Sequence, residues 1–452
     1  MEEIIAFCKQ RGFVYQGSEV YDGIAGVYDY GPNGVLLLNN IKKIWWREVV
    51  QRHPDIYGLD SGIFKHPRTW EASGHLSGFS DPMAECLSCN TRIRVDKELS
   101  KLGVEADERM SDEELQKLFT EHAGKIVCAK CGGTEFTLPR KFNLLIESNF
   151  GNFTGDNVDP VYLPGEACQG IYLNFKNVVD SIHPKIPFGI AQIGKAFRNE
   201  ISPRNFLFRT RELEQADLQY FIRPGENVDA YQKMKEMRFE WYRSLGLREE
   251  NLRMTQHRNL VFYASDAWDI EYNFPTYGFD EVEGLHDRTD YDLTQHSQHS
   301  GVDLSYNDNG EKFIPYIIES SMGLGRVFLA VVCDALSTED LPDGDSRTVL
   351  RLRPELAPYT VAVLPLMNRD GLQERAAEIF QQLSRTYSTT LDTTGSIGKR
   401  YRRQDEIGTP FCVTVDYDTL EKGTVTVRER DSMEQQTINT TALNQYIDGT
   451  LE

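Results

Sequence analysis

The side chains best suited to chemistry in this chain are arginines and carboxylates crowded into three short stretches. The densest is Gly189–Phe221, GIAQIGKAFRNEISPRNFLFRTRELEQADLQYF. It reads as strand, turn, strand. Gln192–Glu200 and Glu212–Phe221 have strand-like length and apolar content, and Ser202-Pro203-Arg204-Asn205 between them is turn chemistry. Arg198, Glu200, Arg204, Arg209, Arg211, Glu212, Glu214 and Asp217 all fall within it. A solvated hairpin accounts for such charges. The alternative is a nucleotide-handling platform: the strand period of two puts Arg198 and Glu200 on one face, where a guanidinium and a carboxylate can grip phosphate, ammonium or a base edge. The second stretch, Glu281–Leu293, mixes acids with Arg288; His296 and His299 follow it without a firm metal-ligand pattern. The third, FIPYIIESSMGLGRVFLAVV (313–332), reads as a buried strand, a glycine turn and an apolar helix. Glu319 precedes the turn and Arg326 opens the helix. Gly323 and Gly325 allow close backbone approach to a ligand.

Cysteine spacing carries a different chemistry. Cys86 with Cys89 and Cys128 with Cys131 form two CxxC pairs, the second followed by Gly132-Gly133. Each turn can point two thiolates at one tetrahedral Zn²⁺, and four thiolates leave no open coordination position, so the ion's role would be structural. Redox-active pairs are the other reading, but neither pair sits at a strand-to-helix junction. Between them, Ser111 and Glu114 spell a capping box and Gly124 closes the segment.

The remaining elements must position these groups. A turn at Asp29–Gly34 leads into a helix with Leu37, Ile41, Ile44, Trp45 and Val49 at helical spacing; Trp46 lies off that stripe, which fits either a buried helix or a subunit contact. Gly12–Asp22 reads as a strand, Asn227–Leu245 as a helix and Ala267–Tyr272 as a strand. Residues 341–358 read as a polar, proline-bearing linker, and the remainder as a compact α/β unit. In that unit Lys399, Arg400, Arg402 and Arg403 form the densest positive run, either a solvated helix face or an RNA contact. At 452 residues the chain can hold two or three domains. Its net charge of −20 argues against general nucleic-acid binding but permits one specific nucleic-acid partner. The acidic N-terminus is not a signal peptide and no run approaches a membrane span, so the expected location is cytoplasmic, with no membrane partner.

Together these stretches resemble bacterial-type dimeric (alpha2) glycyl-tRNA synthetase, a class II aminoacyl-tRNA synthetase, from end to end. YDYGPNGVLLLNNIKKIWW is similar to motif 1, the Gly189–Phe221 stretch to motif 2 and IIESSMGLGRVFLA to motif 3; GLHDRTDYDL and IGKRYRRQDEIGTPFCVTVDYDTL look like further signatures. The resemblance implies an α+β catalytic domain at 1–345, with an antiparallel sheet flanked by helices and a zinc-ribbon-like insertion at 82–140. A linker at 346–358 and a C-terminal α/β anticodon-binding domain at 359–452 follow. It implies glycine and ATP as substrates, a glycyl-adenylate intermediate, tRNA(Gly) as acceptor, Mg²⁺ with ATP, structural Zn²⁺, and a homodimer through the 24–50 region. Catalytic roles fall by likeness on Arg198, Glu200 and Arg326. The implied ATP site adds Asn199, Phe208, Arg209, Thr210, Arg211, Glu212, Leu213, Glu281, Val282, Gly323, Leu324 and Gly325. The implied glycine site takes Arg94, Glu166, Leu213, Glu214, Gln215, Ala216, Asp217, Arg288, Glu319, Ser320, Ser321, Met322 and Gly323. Glu281 and Glu319 are the implied Mg²⁺ ligands, and Lys399, Arg400, Arg402 and Arg403 the implied tRNA contacts. Leu213 departs from a family phenylalanine that stacks on adenine, Ser320 from a proline and Gly325 from an aspartate; the Leu163–Gln169 run lacks an expected arginine. The rival reading is a synthetase-like RNA-binding or accessory subunit without charging activity.

Overall fold

The computed structural model describes residues 1–106, 110–150, 159–201, 203, 205–257, 260, 263–341 and 344–451. Ser202 and Arg204 of the expected turn, and Pro342 and Asp343 of the expected linker, lie outside the described residues.

Alternation of side chains along long strands builds the central sheet. Its strands are β1 (Ile56–Gly58), β2 (Phe188–Phe197), β3 (Glu212–Ile222), β4 (Leu252–Gln256), β5 (Asp266–Phe274), β6 (Gly278–Thr289) and β7 (Tyr316–Gly323). They lie in the order β4-β5-β6-β7-β3-β2-β1. Every pairing is antiparallel except β1 with β2. One face buries Ala216, Leu218, Leu285 and Met322 against the helices α1 (Pro32–Trp46), α3 (Asn227–Ser244) and α5 (Leu324–Ala335). Residues 327–332 of α5 are all buried, so this helix is a core rod rather than an amphipathic one. The other face is apolar only toward one end, where Ile190, Phe221 and Ile317 pack on Tyr172 and Phe175 of α2 (Gln169–Ile182) and Leu293 of α4 (Tyr291–Ser300). Its middle is polar.

Trp46 is accounted for within the chain. It packs over Gly58, where an added Cβ would stand 2.4 Å from the indole. The N-terminal segment opens with a helix, Glu2–Gln10, before a short strand at Val14–Gln16, where the sequence had suggested only a strand. Ile4, Phe7 and Cys8 are its buried stripe.

The cysteine-bearing segment forms a small unit of its own. Strands Ser80–Glu85, Arg92–Arg94 and Arg140–Asn143 pair antiparallel. Helix Asp112–His122 carries the Ser111–Glu114 capping box, and Val95, Leu99, Phe119 and Ile126 make a separate core.

The expected linker is structured. Ser346–Leu350 pairs with Leu336–Asp340, and Arg347, fully buried, donates to Glu339, Asp405 and the Arg430 carbonyl. Beyond it, β8 (Val361–Pro365), β9 (Thr389–Leu391), β10 (Phe411–Val415), β11 (Thr424–Glu429) and β12 (Gln435–Asn439) lie in the order β9-β8-β10-β11-β12. The first three are parallel and the rest antiparallel. Helices α6 (Leu372–Leu383), α7 (Ile397–Ile407) and α8 (Leu443–Leu451) complete this unit.

Candidate active site

The polar face of the sheet is built by register. Gln192 pairs with Asp217, Asp217 with Ser321, Ser321 with Gly284, and Gly284 with Asp269, giving one row across five strands. The adjacent row runs Gln219–Glu319–His286. Residues one step away point to the opposite face. Several expected glycine-site residues are corrected on this ground. Glu214 faces away, 2.7 Å from Lys42. Ala216 and Met322 lie in the helix-facing core. Ser320 donates to the buried Glu283, which in turn holds Arg238 of α3. Side chains of a contiguous run cannot all line one pocket on a strand.

What remains on the polar face is a compact acid cluster. Glu319 accepts from Arg288, from Gln219 and, at 2.8 Å, from His286 Nδ1. Arg288 also forms a bidentate pair with Asp292, and its guanidinium lies 4.0 Å from the Tyr263 ring centre. Glu166 accepts from Gln169 at 2.8 Å and stands 3.5 Å from His75 Nε2. Burial opposes charge on both glutamates, but the neighbouring cations win. His75 and Arg288 hold Glu166 well below the usual carboxylate range, and Arg288 with His286 brings Glu319 to about 2. Asp217 differs. It is fully buried, with the Ser321 hydroxyl near its carboxyl but no hydrogen bond of good geometry to either oxygen among the described residues. Burial pushes it well above the usual range; the Ser321 hydroxyl relieves this in part, and the Glu319 and Glu166 charges add to it. A buried carboxyl without a partner is costly, which sets Asp217 apart from the two paired glutamates beside it. His75, Gln219 and Asp269 belong to this face and were not singled out by sequence. Asp269 has a visible signal only in hindsight, as a carboxylate within an otherwise alternating strand.

Beside the acids lies a cationic edge. Arg198 and Glu200 were expected on one strand face; both lie past the end of β2, in the connection to β3. Arg198 donates to the Gly165 carbonyl and its guanidinium lies 5.4 Å from the Phe79 ring centre. Glu200 is buried and accepts from Arg209 at 2.7 Å, while Arg211 donates to its carbonyl. Across the gap, Arg326 at the start of α5 stacks on Phe208 at 4.3 Å and donates to Glu281 at 2.9 Å. Burial would raise the Glu281 carboxyl; Arg326 foremost, then Arg198, outweigh it. Val282 and Leu324 are buried core residues, and Glu212 pairs with Lys195 at 3.0 Å on the exposed side, so these three supply no side chain to the site. Asn199 donates its backbone N–H to Leu144. Leu213, Gln215 and Gly323 share the polar face, and Thr210 precedes it. Gly325 lies where an added Cβ would approach the Leu207 carbonyl at 3.3 Å.

Of the two expected Mg²⁺ ligands, Glu281 is the less enclosed. Both oxygens of Glu319 are taken by arginine, glutamine and histidine donors. The Glu281 carboxylate is partly exposed and is held by Arg326, and its charge contributes, after burial, to raising Asp269 to about 6.

The four cysteines converge as their spacing predicts. Their sulfur atoms lie within 4.8 Å of one another, with Cys86–Cys131 and Cys89–Cys128 both at 3.6 Å. A tetrahedral Zn²⁺ with bonds of about 2.3 Å needs sulfurs roughly 3.8 Å apart, so the donor set fits. Arg94, expected beside the substrate, belongs to the same unit and pairs with Asp96 and Asp81. Arg209 reaches that same Asp81 at 3.8 Å. In the C-terminal unit the basic run is largely structural. Arg400 is buried, donating to carbonyls of Pro365, Thr393 and Gly395. Arg403 forms a bidentate pair with Asp392, and Arg402 lies 3.8 Å from Asp345. Lys399 is exposed.

Profiles of two families match this architecture. Residues 152–335 match the core domain of class II tRNA synthetases for G, H, P, S and T, and residues 360–450 match an anticodon binding domain. The fold is also that of prolyl-tRNA synthetase from Cryptosporidium parvum, with a TM-score of 0.64 over 99% of this chain and 76% of that one at 15% identity. Fold and site thus define a class II aminoacyl-tRNA synthetase. Among curated relatives, the glycine–tRNA ligase of Treponema denticola is 51% identical, covering 98% of this chain and 95% of the relative. Those of Alkaliphilus oremlandii (47%; 100% and 98% covered) and Geobacillus thermodenitrificans (48%; 99% and 97% covered) are comparable. The chain belongs to the glycine–tRNA ligase family.

Proposed function

We infer that the protein attaches glycine to tRNA at the expense of ATP, through a glycyl-adenylate. The observation that carries this reading is the buried acid cluster of Asp217, Glu166 and Glu319 set beside an arginine-lined edge. Glycine has an ammonium and a carboxylate one carbon apart. Asp217, Glu166 and Glu319 suit the ammonium, and Arg198 suits the carboxylate and the α-phosphate it attacks. Adenylation needs in-line alignment and charge neutralisation rather than a covalent enzyme intermediate. Arg198 and Arg326 flank the place where phosphate charge builds. Phe208 and Leu213 supply apolar surface for adenine, and Glu200 a carboxylate for its amino group. Mg²⁺ arriving with ATP would neutralise phosphate charge, with Glu281 the carboxylate placed to hold it. Arg288, locked between Asp292 and Glu319, orients the acids rather than meeting substrate. A pocket filled in this way excludes larger amino acids by contact alone, so no second editing site is required.

The sulfur cluster is assigned to structural Zn²⁺, in keeping with a reducing, cytoplasmic setting. Homodimerisation is proposed through 24–50 and the adjoining edge strand β1. Ile24 and Val35 are exposed there, and a hollow of ≈ 620 Å³ lined by Ile56, Tyr220 and the exposed Val228 opens beside β1, on the sheet face away from the acids. No helix among the described residues is long and apolar enough to cross a membrane. The reading is tested by glycine-dependent exchange of labelled pyrophosphate into ATP. Exchange with glycine but not alanine is expected; none with pure, zinc-loaded protein would refute it.

A further inference from the structure

We propose that Gln192 is a positioning residue for glycine recognition. Its amide is almost wholly buried and both ends are used. Nε2 donates to the Ala167 carbonyl at 2.7 Å, and Oε1 accepts from Ser61 Oγ at 3.0 Å. From the next strand, Gln215 Oε1 accepts from the Ala167 N–H at 3.0 Å, and its Nε2 reaches Ser321 Oγ at 3.4 Å. The Ala167 peptide is therefore clamped on its donor and its acceptor side by two glutamines of adjacent strands. The residue before it is Glu166.

The surroundings are shaped for this clamp. A Cβ at Gly194 would stand 2.7 Å from Gln192 Nε2 and 3.0 Å from the Ala167 Cβ, so the strand forgoes a side chain to let the loop approach. Ser61 is backed by the buried Lys65, whose Nζ lies 3.3 Å from it. A Cβ at Gly170 would fall 1.9 Å from Ser61 Oγ, which presses the 61–65 segment onto the start of α2. That turn of α2 carries Gln169, the donor to the Glu166 carboxylate. The clamp thus holds the Glu166 backbone while Gln169 and His75 hold its carboxylate. A buried amide at 192 is expensive unless it is fully bonded, and an apolar side chain would fill the space at lower cost. What the amide adds is a fixed pocket wall: glycine would meet a preformed anionic site, and a methyl group would meet an immovable peptide.

The inference rests on Glu166 lining the glycine pocket, and the test separates the two claims. Gln192→Met keeps the volume and removes both hydrogen bonds; Gln192→Glu keeps the acceptor for Ser61 and loses the donor to Ala167, and it serves if the first variant does not fold. In pyrophosphate exchange, either is expected to raise the glycine KM roughly tenfold and leave the ATP KM within about twofold, as loss of the buried hydrogen bond to the Ala167 carbonyl, common to both variants, would. Exchange supported by alanine, relative to glycine, should rise in the same variant. In a Glu166→Gln background, Gln192→Met should add little, because the two act through one carboxylate. An unchanged glycine KM, or glycine and ATP KM rising together, would overturn the proposal. If Glu166→Gln itself leaves the glycine KM unchanged, the pocket reading fails; if Glu166→Gln raises it and neither Gln192 variant does, only the clamp fails.

Discussion

Asp217 is a carboxyl folded into a place that favours it neutral, beside two carboxylates kept ionised by their own cations. Its folded pKa lies well above its ordinary value of 3.8, so the folded chain binds the proton more tightly than the unfolded one. The sign follows: this group favours folding below its unfolded value and loses that contribution as pH rises through the folded one. An ammonium in the pocket would reverse the preference and draw the proton off. Glycine binding is therefore expected to release protons in the pH range where Asp217 titrates, measurable as buffer-dependent heat in calorimetric titrations over a pH series; identical heats at every pH in buffers of different ionisation enthalpy would contradict this. Asp217→Asn should remove this group's share of the pH dependence of stability, read as a flatter plot of melting temperature against pH, and weaken glycine roughly tenfold to a hundredfold by loss of a charged partner. Glu319 runs the other way. Held at about 2, it contributes stability above its ordinary 4.5 that is lost as pH falls toward 2. Much of this was legible in the sequence as composition, a run of acids near arginines. Which acids face the pocket was not. Glu214 and Asp217 differ by three positions and so point to opposite faces, and reading a contiguous run hid that parity.

At the scale of elements, local features were legible and long-range ones were not. The CxxC spacing and the capping box at Ser111 depend on near neighbours, and both are present; around Arg326 the expected strand and helix form, but Tyr316–Gly323 runs directly into Leu324–Ala335 with no glycine turn between them. The Gln192–Ala167 contact spans 25 positions, and nothing in the local sequence announces it. The charge chain Asp96–Arg94–Asp81–Arg209–Glu200 likewise joins the cysteine unit to the β2–β3 connection. Removing the metal with a chelator should loosen that chain as well as the cysteine unit. The ATP KM is expected to rise more than the glycine KM, and restoring Zn²⁺ should reverse it; an ATP KM indifferent to the metal would show that the two elements are uncoupled. Helix α7 gives a second contrast. Arg400 spends its guanidinium on buried carbonyls, so Arg400→Ala should destabilise the C-terminal unit by about 2–4 kcal/mol, read as a lower denaturation midpoint. Lys399→Ala should leave stability alone and, if Lys399 touches phosphate, reduce the salt dependence of tRNA binding by about one unit of log–log slope.

For the whole molecule, the two units are joined by buried arginines rather than a loose tether. Arg347 ties the 336–350 hairpin to Asp405 of α7, and Arg430 reaches back to the Leu352 carbonyl. Arg11 near the N-terminus pairs with Glu406 at 2.7 Å. The catalytic sheet and the anticodon-type domain are thus held in a defined relation, as a protein that must meet two ends of one tRNA requires. With a net charge of −20, non-specific RNA affinity should be poor, so binding of the correct tRNA has to rest on few contacts. The central claim is that this acid pocket activates glycine and that the product is passed to tRNA. It is tested most directly by incubating the purified, zinc-loaded protein with ATP, labelled amino acid and total tRNA, and counting acid-precipitable label. ATP-dependent incorporation of glycine is expected, with alanine at background; absence of glycine incorporation, or equal incorporation of alanine, would refute this activity.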